Sequence, residues 1–293
     1  MKIPCEVIAL LLGSFIASFG CAAEPKVELL TSEKSGALSH SVAAETAAMR
    51  KHHLRRLADR FTLEPAVLHQ TCRYESEIST APPANKVVLS FDDGPQSEQT
   101  EFILDVLKRH QISGTFFLIG QKAKEHPELV TRIWADGRHT VGNHSWSHPN
   151  FHEISVEEQA MEVLKYEEAP SIGPTPKLFR YPYGNSSCET NNLLHDRGYR
   201  IVGWHIDSCD WAFDKAGSVD AKEALSCGVL SQNRDNFVEH VVSSVRAHKG
   251  GIVLMHEIHP NTLKKLDEII TRLKEDGFVF GSIEDSDFIP DLR

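Results

Sequence analysis

From residue 86 onward, short apolar runs alternate with amphipathic segments, and this alternation leaves few folds open. The apolar runs at 86–91, 115–119, 139–142, 177–180, 199–205, 252–256 and 278–280 read as strands, each too short for a helix. Between them lie helical patterns. Residues 97–110 place Phe102, Ile103, Val106 and Leu107 on one face. Pro127 suits the first turn of a helix ending before Gly137. Ser155-Val156-Glu157-Glu158 is a capping box for a helix that turns Ala160, Val163 and Leu164 inward, and Gly173-Pro174-Thr175-Pro176 stops it. Residues 191–197 read as helix with Gly198 as C-cap, 237–248 as helix, and Asn261 or Thr262 caps a last helix to Asp276. Residues 207–236 read as a long polar insertion. Seven successive β/α units predict an α/β fold with a parallel sheet closed, or nearly closed, into a barrel. A doubly wound open sheet would carry a Gly-rich phosphate turn after an early strand, and none is present.

Chemistry gathers where these strands stop. Ser90-Phe91-Asp92-Asp93-Gly94-Pro95 puts two adjacent carboxylates at the end of the first strand. Alone, it reads as a polar turn. Adjacent carboxylates repel unless a cation neutralises one, which leaves the other available as a base. Downstream, His144-Ser145-Trp146-Ser147-His148 follows the third strand in loop-like surroundings. Asp93, His144 and His148 together form a plausible triad for Zn²⁺ or a similar ion, with a coordination position left open. Three later strands end in Arg180-Tyr181-Pro182-Tyr183-Gly184, Asp207-Ser208-Cys209-Asp210-Trp211 and Leu254-Met255-His256. Each alone reads as ordinary: a surface ion pair, a turn, a strand-end histidine. Five such groups at successive strand ends share one mouth if the sheet is a barrel.

A net charge of −10 with no basic patch standing out argues against a nucleic-acid partner. Residues 1–23 have the pattern of an export signal: Lys2, an apolar run from Val7 to Phe19, then small residues. The run is too short for a membrane span. Cleavage after Ala23 would give a soluble protein, and cleavage before Cys21 a lipoprotein. Phe19 fits a lipobox poorly, so soluble export to the periplasm or the cell exterior is the expectation. Export allows disulfides, and Cys72, Cys188, Cys209 and Cys227 permit three full pairings. Cys188 and Cys227 fall in neighbouring loops of one barrel face, so that bridge is expected, with Cys209 an equally available partner. Residues 24–85 differ in character from the β/α units: a polar start, a helix at 42–60 carrying Arg50, Lys51, Arg55 and Arg56, and a proline-rich linker at 81–85. That basic cluster reads as a solvated helix face, with a cell-wall contact the weaker alternative.

The five groups, in order, resemble the motifs of the polysaccharide deacetylases of carbohydrate esterase family 4, over residues 86–282. Departures are small: Tyr181 inside the third motif, Glu257 where Asp often follows the histidine, and the length of the insertion. The resemblance implies a distorted (β/α)7 barrel of the NodB-homology type at 86–293, behind a short helical N-terminal extension. It implies a metal-dependent hydrolase that removes N-acetyl groups from N-acetylglucosamine units of an exported polysaccharide, peptidoglycan ahead of chitin. The alternatives are a different amide or ester hydrolase on the same scaffold and a non-catalytic glycan-binding module, which would have lost a chemical residue. Carried over by position, Asp93, His144 and His148 hold one divalent ion, Zn²⁺ by default with Co²⁺ the alternative. Asp92 is the base, and Arg180 holds it. The Tyr183 N–H binds the oxyanion, His256 is the acid oriented by Asp210, and Trp211 and Leu254 wall the acetyl pocket. A monomer with no membrane span is expected.

Overall fold

The sheet is built outward from β1 (Lys86–Gly94), which is buried from its second residue to its last. The computed structural model describes residues 78 and 80–292, apart from 170, 171, 174 and 175. The export signal, Cys21, the basic helix and Cys72 therefore lie outside the described residues. Seven more strands come after it: β2 (Thr115–Leu118), β3 (Thr140–Asn143), β4 (Leu178–Phe179), β5 (Arg200–Ile201), β6 (Ile206–Asp207), β7 (Gly251–His256) and β8 (Val279–Phe280). Their order across the sheet is β5-β4-β3-β2-β1-β7-β6, and every pairing is parallel. β8 pairs with Lys86 and Val87, on the edge of β1 that β2 takes over from Ser90.

The helices are α1 (Ser97–His110), α2 (Gly120–Glu125), α3 (Pro127–Trp134), α4 (Val156–Glu167), α5 (Cys188–Asp196), α6 (Asp210–Ala216), α7 (Ala221–Cys227), α8 (Phe237–His248) and α9 (Pro260–Glu275). The main core lies between β1, β2 and β7 and the apolar faces of α1, α8 and α9. All of these elements belong to one unit, Val42–Arg293. No helix among the described residues is long and apolar enough to cross a membrane.

The α/β architecture is the expected one, a curled parallel sheet of the (β/α)7 type, with instructive departures. Of the single fifth strand expected at 199–205, only β5 at 200–201 forms, and β6 follows at 206–207 on the opposite edge of the sheet. Val202 N–H still bonds the Phe179 carbonyl, whereas His205 N–H bonds that of Ile252. Residues 202–205 thus carry the chain from β4 to β7, and the two edges are joined by the chain itself. The polar insertion contains α6 and α7. Asp220 and Glu223 form a capping box for α7, and Gly217 and Gly228 end the two helices in left-handed conformation. In α1, Phe102 is 44% exposed and Leu104 takes the expected inward place. In α4, the capping box forms as expected, but Gln159 and Tyr166 join Val163 inside while Ala160 and Leu164 are only half-buried. His259 is the N-cap residue of α9, in place of Asn261 or Thr262.

The expected Cys188–Cys227 bridge is corrected: the disulfide joins Cys209 to Cys227. Cys209 ends the segment leaving β6 and Cys227 ends α7, so the bridge closes a loop within the insertion. Cys188 is itself disulfide-bonded elsewhere.

Candidate active site

Adjacent residues of a strand normally face opposite sides of the sheet, so Asp92 and Asp93 share a cleft only if the strand is interrupted between them. The register of β1 against β2 shifts between Asp92 and Gly94, and Asp93 has φ 71. Such a bulge re-aims a side chain, and Asp tolerates the left-handed region better than most residues. Both carboxylates line one cleft of about 850 Å³.

The two histidines come from the loop after β3, which its own side chains hold closed. Asn143 Oδ1 accepts from Ser145 N–H (2.8 Å), and Ser145 Oγ accepts from His148 N–H (2.9 Å). Ser145 and His148 also have positive φ, 67 and 61. His144 Nδ1 donates to the Arg180 carbonyl at 2.7 Å, which leaves Nε2 facing the carboxylates. His144 Nε2 lies 3.5 Å and His148 Nε2 3.1 Å from Asp93 Oδ1. Burial pushes the Asp93 carboxyl up, but the two imidazoles outweigh burial and hold it well below the usual carboxylate range. Asp93 Oδ1 is buried with no hydrogen-bond partner. Such an orphan among two imidazole nitrogens suits a borderline divalent cation.

Arg180 is fully buried and explains the position of Asp92. Its Nη1 donates to Asp92 Oδ1 and to Ser90 Oγ, both at 2.8 Å. Its Nε and Nη2 donate to the carbonyls of Val202 and Gly203, in the segment that joins the sheet edges. The guanidinium lies over the Phe117 ring, 4.1 Å from its centroid. One side chain therefore fixes the acid on β1 and the crossing between β5 and β6.

On the opposite wall, Asp210 is fully buried at the start of α6. Its carboxylate accepts from His256 Nδ1 (2.8 Å), His256 N–H (2.8 Å), Trp211 N–H (2.9 Å) and Thr262 Oγ1 (2.6 Å). Asp210, His256 and His259 form a second cluster of possible metal ligands, but four donors already satisfy this carboxylate. Burial would lower the His256 imidazole. Asp210 outweighs that, helped by Asp93 and Asp92, and lifts it to about 10. Tyr183, Trp211 and Leu254 line the same cleft. Tyr183 is 63% exposed, has φ 58, and meets the His148 ring edge-to-face at 4.9 Å.

Every candidate site residue thus comes to one cleft or, for Arg180 and Asp210, contacts a residue of it from behind. Several contributors carried no sign of their role in the sequence. Thr262 secures Asp210, Ser90 links Arg180 to the Val253 carbonyl, and Lys122 Nζ donates to the Asp93 carbonyl at 2.8 Å. Glu257 is fully buried and accepts from Thr100 Oγ1 of α1.

The polysaccharide deacetylase family model matches residues 79–202. A peptidoglycan-N-acetylglucosamine deacetylase of Bacillus cereus is 35% identical over 208 residues, covering 69% of this chain and 70% of that protein. PgdA of Listeria monocytogenes, of the same description, is 35% identical over 211 residues, 71% of this chain; the chain spans only about 40% of that relative's length. Among solved structures, a family 4 carbohydrate esterase from Streptomyces lividans in complex with acetate superposes with a TM-score of 0.55 at 30% identity, covering 69% of this chain and 95% of that one. The match to most of the Bacillus cereus protein, together with the geometry of the cleft, places this chain in the polysaccharide deacetylase family.

Proposed function

We propose that this chain is a metal-dependent N-deacetylase acting on N-acetylglucosamine units of peptidoglycan. The observation that carries the reading is one cleft with two unlike walls. Asp92, Asp93, His144 and His148 stand on one side, and an imidazole held by a carboxylate stands on the other. The peptidoglycan deacetylases among the relatives favour this substrate over chitin.

Asp93, His144 and His148 would hold the ion, with Zn²⁺ the best match to two imidazoles and a carboxylate. A bound divalent ion supplies Lewis acidity at the acetamido carbonyl and makes a nearby water easier to deprotonate. Asp92, fixed by Arg180, takes that water's proton as its oxygen bonds to the acetyl carbon. The Tyr183 N–H faces the developing oxyanion. The carbon–nitrogen bond then breaks, and His256 Nε2 gives the amine its proton, releasing acetate and a free glucosamine unit. Asp210 on Nδ1 keeps His256 protonated until that step. Trp211 and Leu254 enclose the acetyl methyl group. The chain's plan is a leader at 1–23, an extension at 24–85 and the catalytic domain at 86–293, with the substrate met outside the membrane.

The test measures released acetate and new free amine from cell-wall sacculi and from chitooligosaccharides, with Zn²⁺ supplied and then chelated. Metal-dependent release of both products from sacculi is expected. Release from chitooligosaccharides alone moves the substrate to chitin, acetate without amine makes the enzyme an esterase, and no release from either sinks the hydrolase reading.

A further inference from the structure

α6 carries two carboxylates four residues apart, Asp210 and Asp214, and each meets a histidine: His256 at the end of β7 and His259 at the N-cap of α9. Asp210 takes His256. Asp214 Oδ2 lies 3.0 Å from His259 Nδ1, and its Oδ1 accepts from Asn261 N–H at 2.9 Å. The second contact serves α9, whose N-cap residue His259 makes no side-chain cap. Asp214 therefore provides an acceptor for an N-terminal N–H of α9 from another helix. The His256 and His259 imidazoles stand edge-to-face with centroids 5.3 Å apart, and both line the cleft.

The deacetylation steps use His256 and leave His259 without a task. At His259 the Asp214 carboxylate lies against Nδ1 at ion-pair distance, its buried Oδ2 without a hydrogen-bond partner, which favours the proton on Nδ1 and leaves Nε2 to meet a ligand. Nε2 has no hydrogen-bond partner among the described residues, and the side chain keeps 21% exposure at the cleft. A second metal is a poor occupant, because Asp210, the shared carboxylate of that cluster, is already satisfied.

We propose that His259, oriented by Asp214, is a substrate-binding residue whose Nε2 hydrogen-bonds a hydroxyl or amide group of the sugar chain next to the acetamido group under attack. This rests on the deacetylase reading for the identity of the ligand. The geometry supports a contact that is lateral to the chemistry, because His259 stands beside the His256 ring and meets neither carboxylate of the Asp92–Asp93 pair in a hydrogen bond or ion pair among the described residues. Losing it should weaken saccharide binding more than it weakens attack on a substrate with no sugar.

The experiment compares the Zn²⁺-loaded full chain with His259→Ala, His259→Gln and Asp214→Asn. The probes are an N-acetylglucosamine tetramer and 4-nitrophenyl acetate. For His259→Ala, the tetramer Kd by titration calorimetry should rise about tenfold, the scale of one net hydrogen bond. The kcat/KM ratio, tetramer over ester, should fall by a similar factor, mostly through KM. His259→Gln should recover part of the loss, and Asp214→Asn should fall between Ala and the parent. Melting curves identify any variant that fails to fold, and the remaining variants then carry the comparison. An unchanged Kd, equal losses on both probes, or a parent that does not bind the tetramer overturns the proposal. A parent that binds the tetramer without releasing acetate counts against the deacetylase reading alone, because the Kd comparison still decides the role of His259.

Discussion

The two walls of the cleft are held in different ways. The wall bearing Asp92, Asp93, His144 and His148 grows from β1 and β3, inside the continuous parallel ladder β3-β2-β1-β7. Its side chains are aimed by backbone: positive φ at Asp93, Ser145 and His148, with a register shift in β1. Such conformations persist only where surrounding structure imposes them. The opposite wall comes from the end of β7, where His256 is the ladder partner of Asp92, and from the two-residue strand β6 and the short α6. There, side-chain bonds set the aim: Asp210 holds the end of β7 and Asp214 the start of α9, and the Cys209–Cys227 disulfide ties the start of α6 to the end of α7. The difference teaches that the proposed ligands are aimed by their own backbone, whereas the proposed acid, although it ends a ladder strand, is aimed by a few side-chain contacts that single substitutions can remove.

The largest effects belong to the first wall. His144→Ala or His148→Ala should abolish turnover and strip the metal, because three ligands leave little redundancy. Asp93→Asn should also lose metal. Asp92→Asn should keep it while losing about 10²–10⁴ in kcat, since an amide of the same shape cannot take a proton. Metal analysis beside kcat decides. Equal metal loss at Asp92 and Asp93 would break the assignment of base and ligand.

Next in size is Asp210→Asn on the second wall, where metal content should not change. Asp210 is the main group lifting His256 to about 10. Its removal lowers the imidazole pKa, so the alkaline limb of kcat/KM against pH must move to lower pH, by about one unit for each 1.4 kcal/mol lost. A cation at Asp93 already cancels part of the lift, so the parent's limb should lie below pH 10. A limb that stays in place with metal intact would mean that the acid is another group.

Smaller still is the effect of opening the disulfide. The bridge spans a sequence separation of 18, for which chain-entropy estimates give a stabilisation of about 3 kcal/mol. Cys209→Ser with Cys227→Ser should lower stability by about that amount and slow turnover several-fold by loosening α6, again without loss of metal. Metal loss in this variant would show that the two walls are not independent.

The strand-end chemistry was legible because it is local. Acid pairs, histidine pairs and their position after apolar runs are visible in a linear pattern, and so was the capping box at Ser155–Glu158. Less legible was anything decided by contacts distant in sequence. The expected strand at 199–205 breaks because Val202 finds Phe179 while His205 finds Ile252, and periodicity cannot state which neighbour a strand will take. α7 was readable in principle, since Asp220 and Glu223 form its capping box, but the polarity of the insertion masked it. Thr262 looked like a helix cap because a threonine before an apolar run usually is one, yet its hydroxyl goes to Asp210. The bridge was misassigned because loops on one barrel face offer several partners, and the folding of α6 and α7 chooses among them.

The smallest effect on turnover is expected at Glu257, the joint between the walls. It comes directly after His256 in sequence, accepts from Thr100 of α1, and presses on Gly94, where an added Cβ would lie 1.7 Å from Glu257 Oε1. Oε1 has no hydrogen-bond partner, and burial lifts the carboxyl from 4.5 to about 8. Because the folded-state pKa is the higher one, the folded protein holds a proton that the unfolded chain releases from pH 4.5 upward. Stability is therefore lost as pH rises from 4.5 to about 8 and levels off above that. Glu257→Gln keeps the shape and an acceptor for Thr100 but has no proton to lose. Its stability relative to the parent should improve steadily across that window, by at most on the order of 4 kcal/mol. Denaturant melts of both proteins at pH 5 and pH 8, with metal saturating, measure the difference directly. A gap of the same size at both pH values would mean that Glu257 is not held neutral by the fold, and that the charge at the joint is balanced by groups of the two walls.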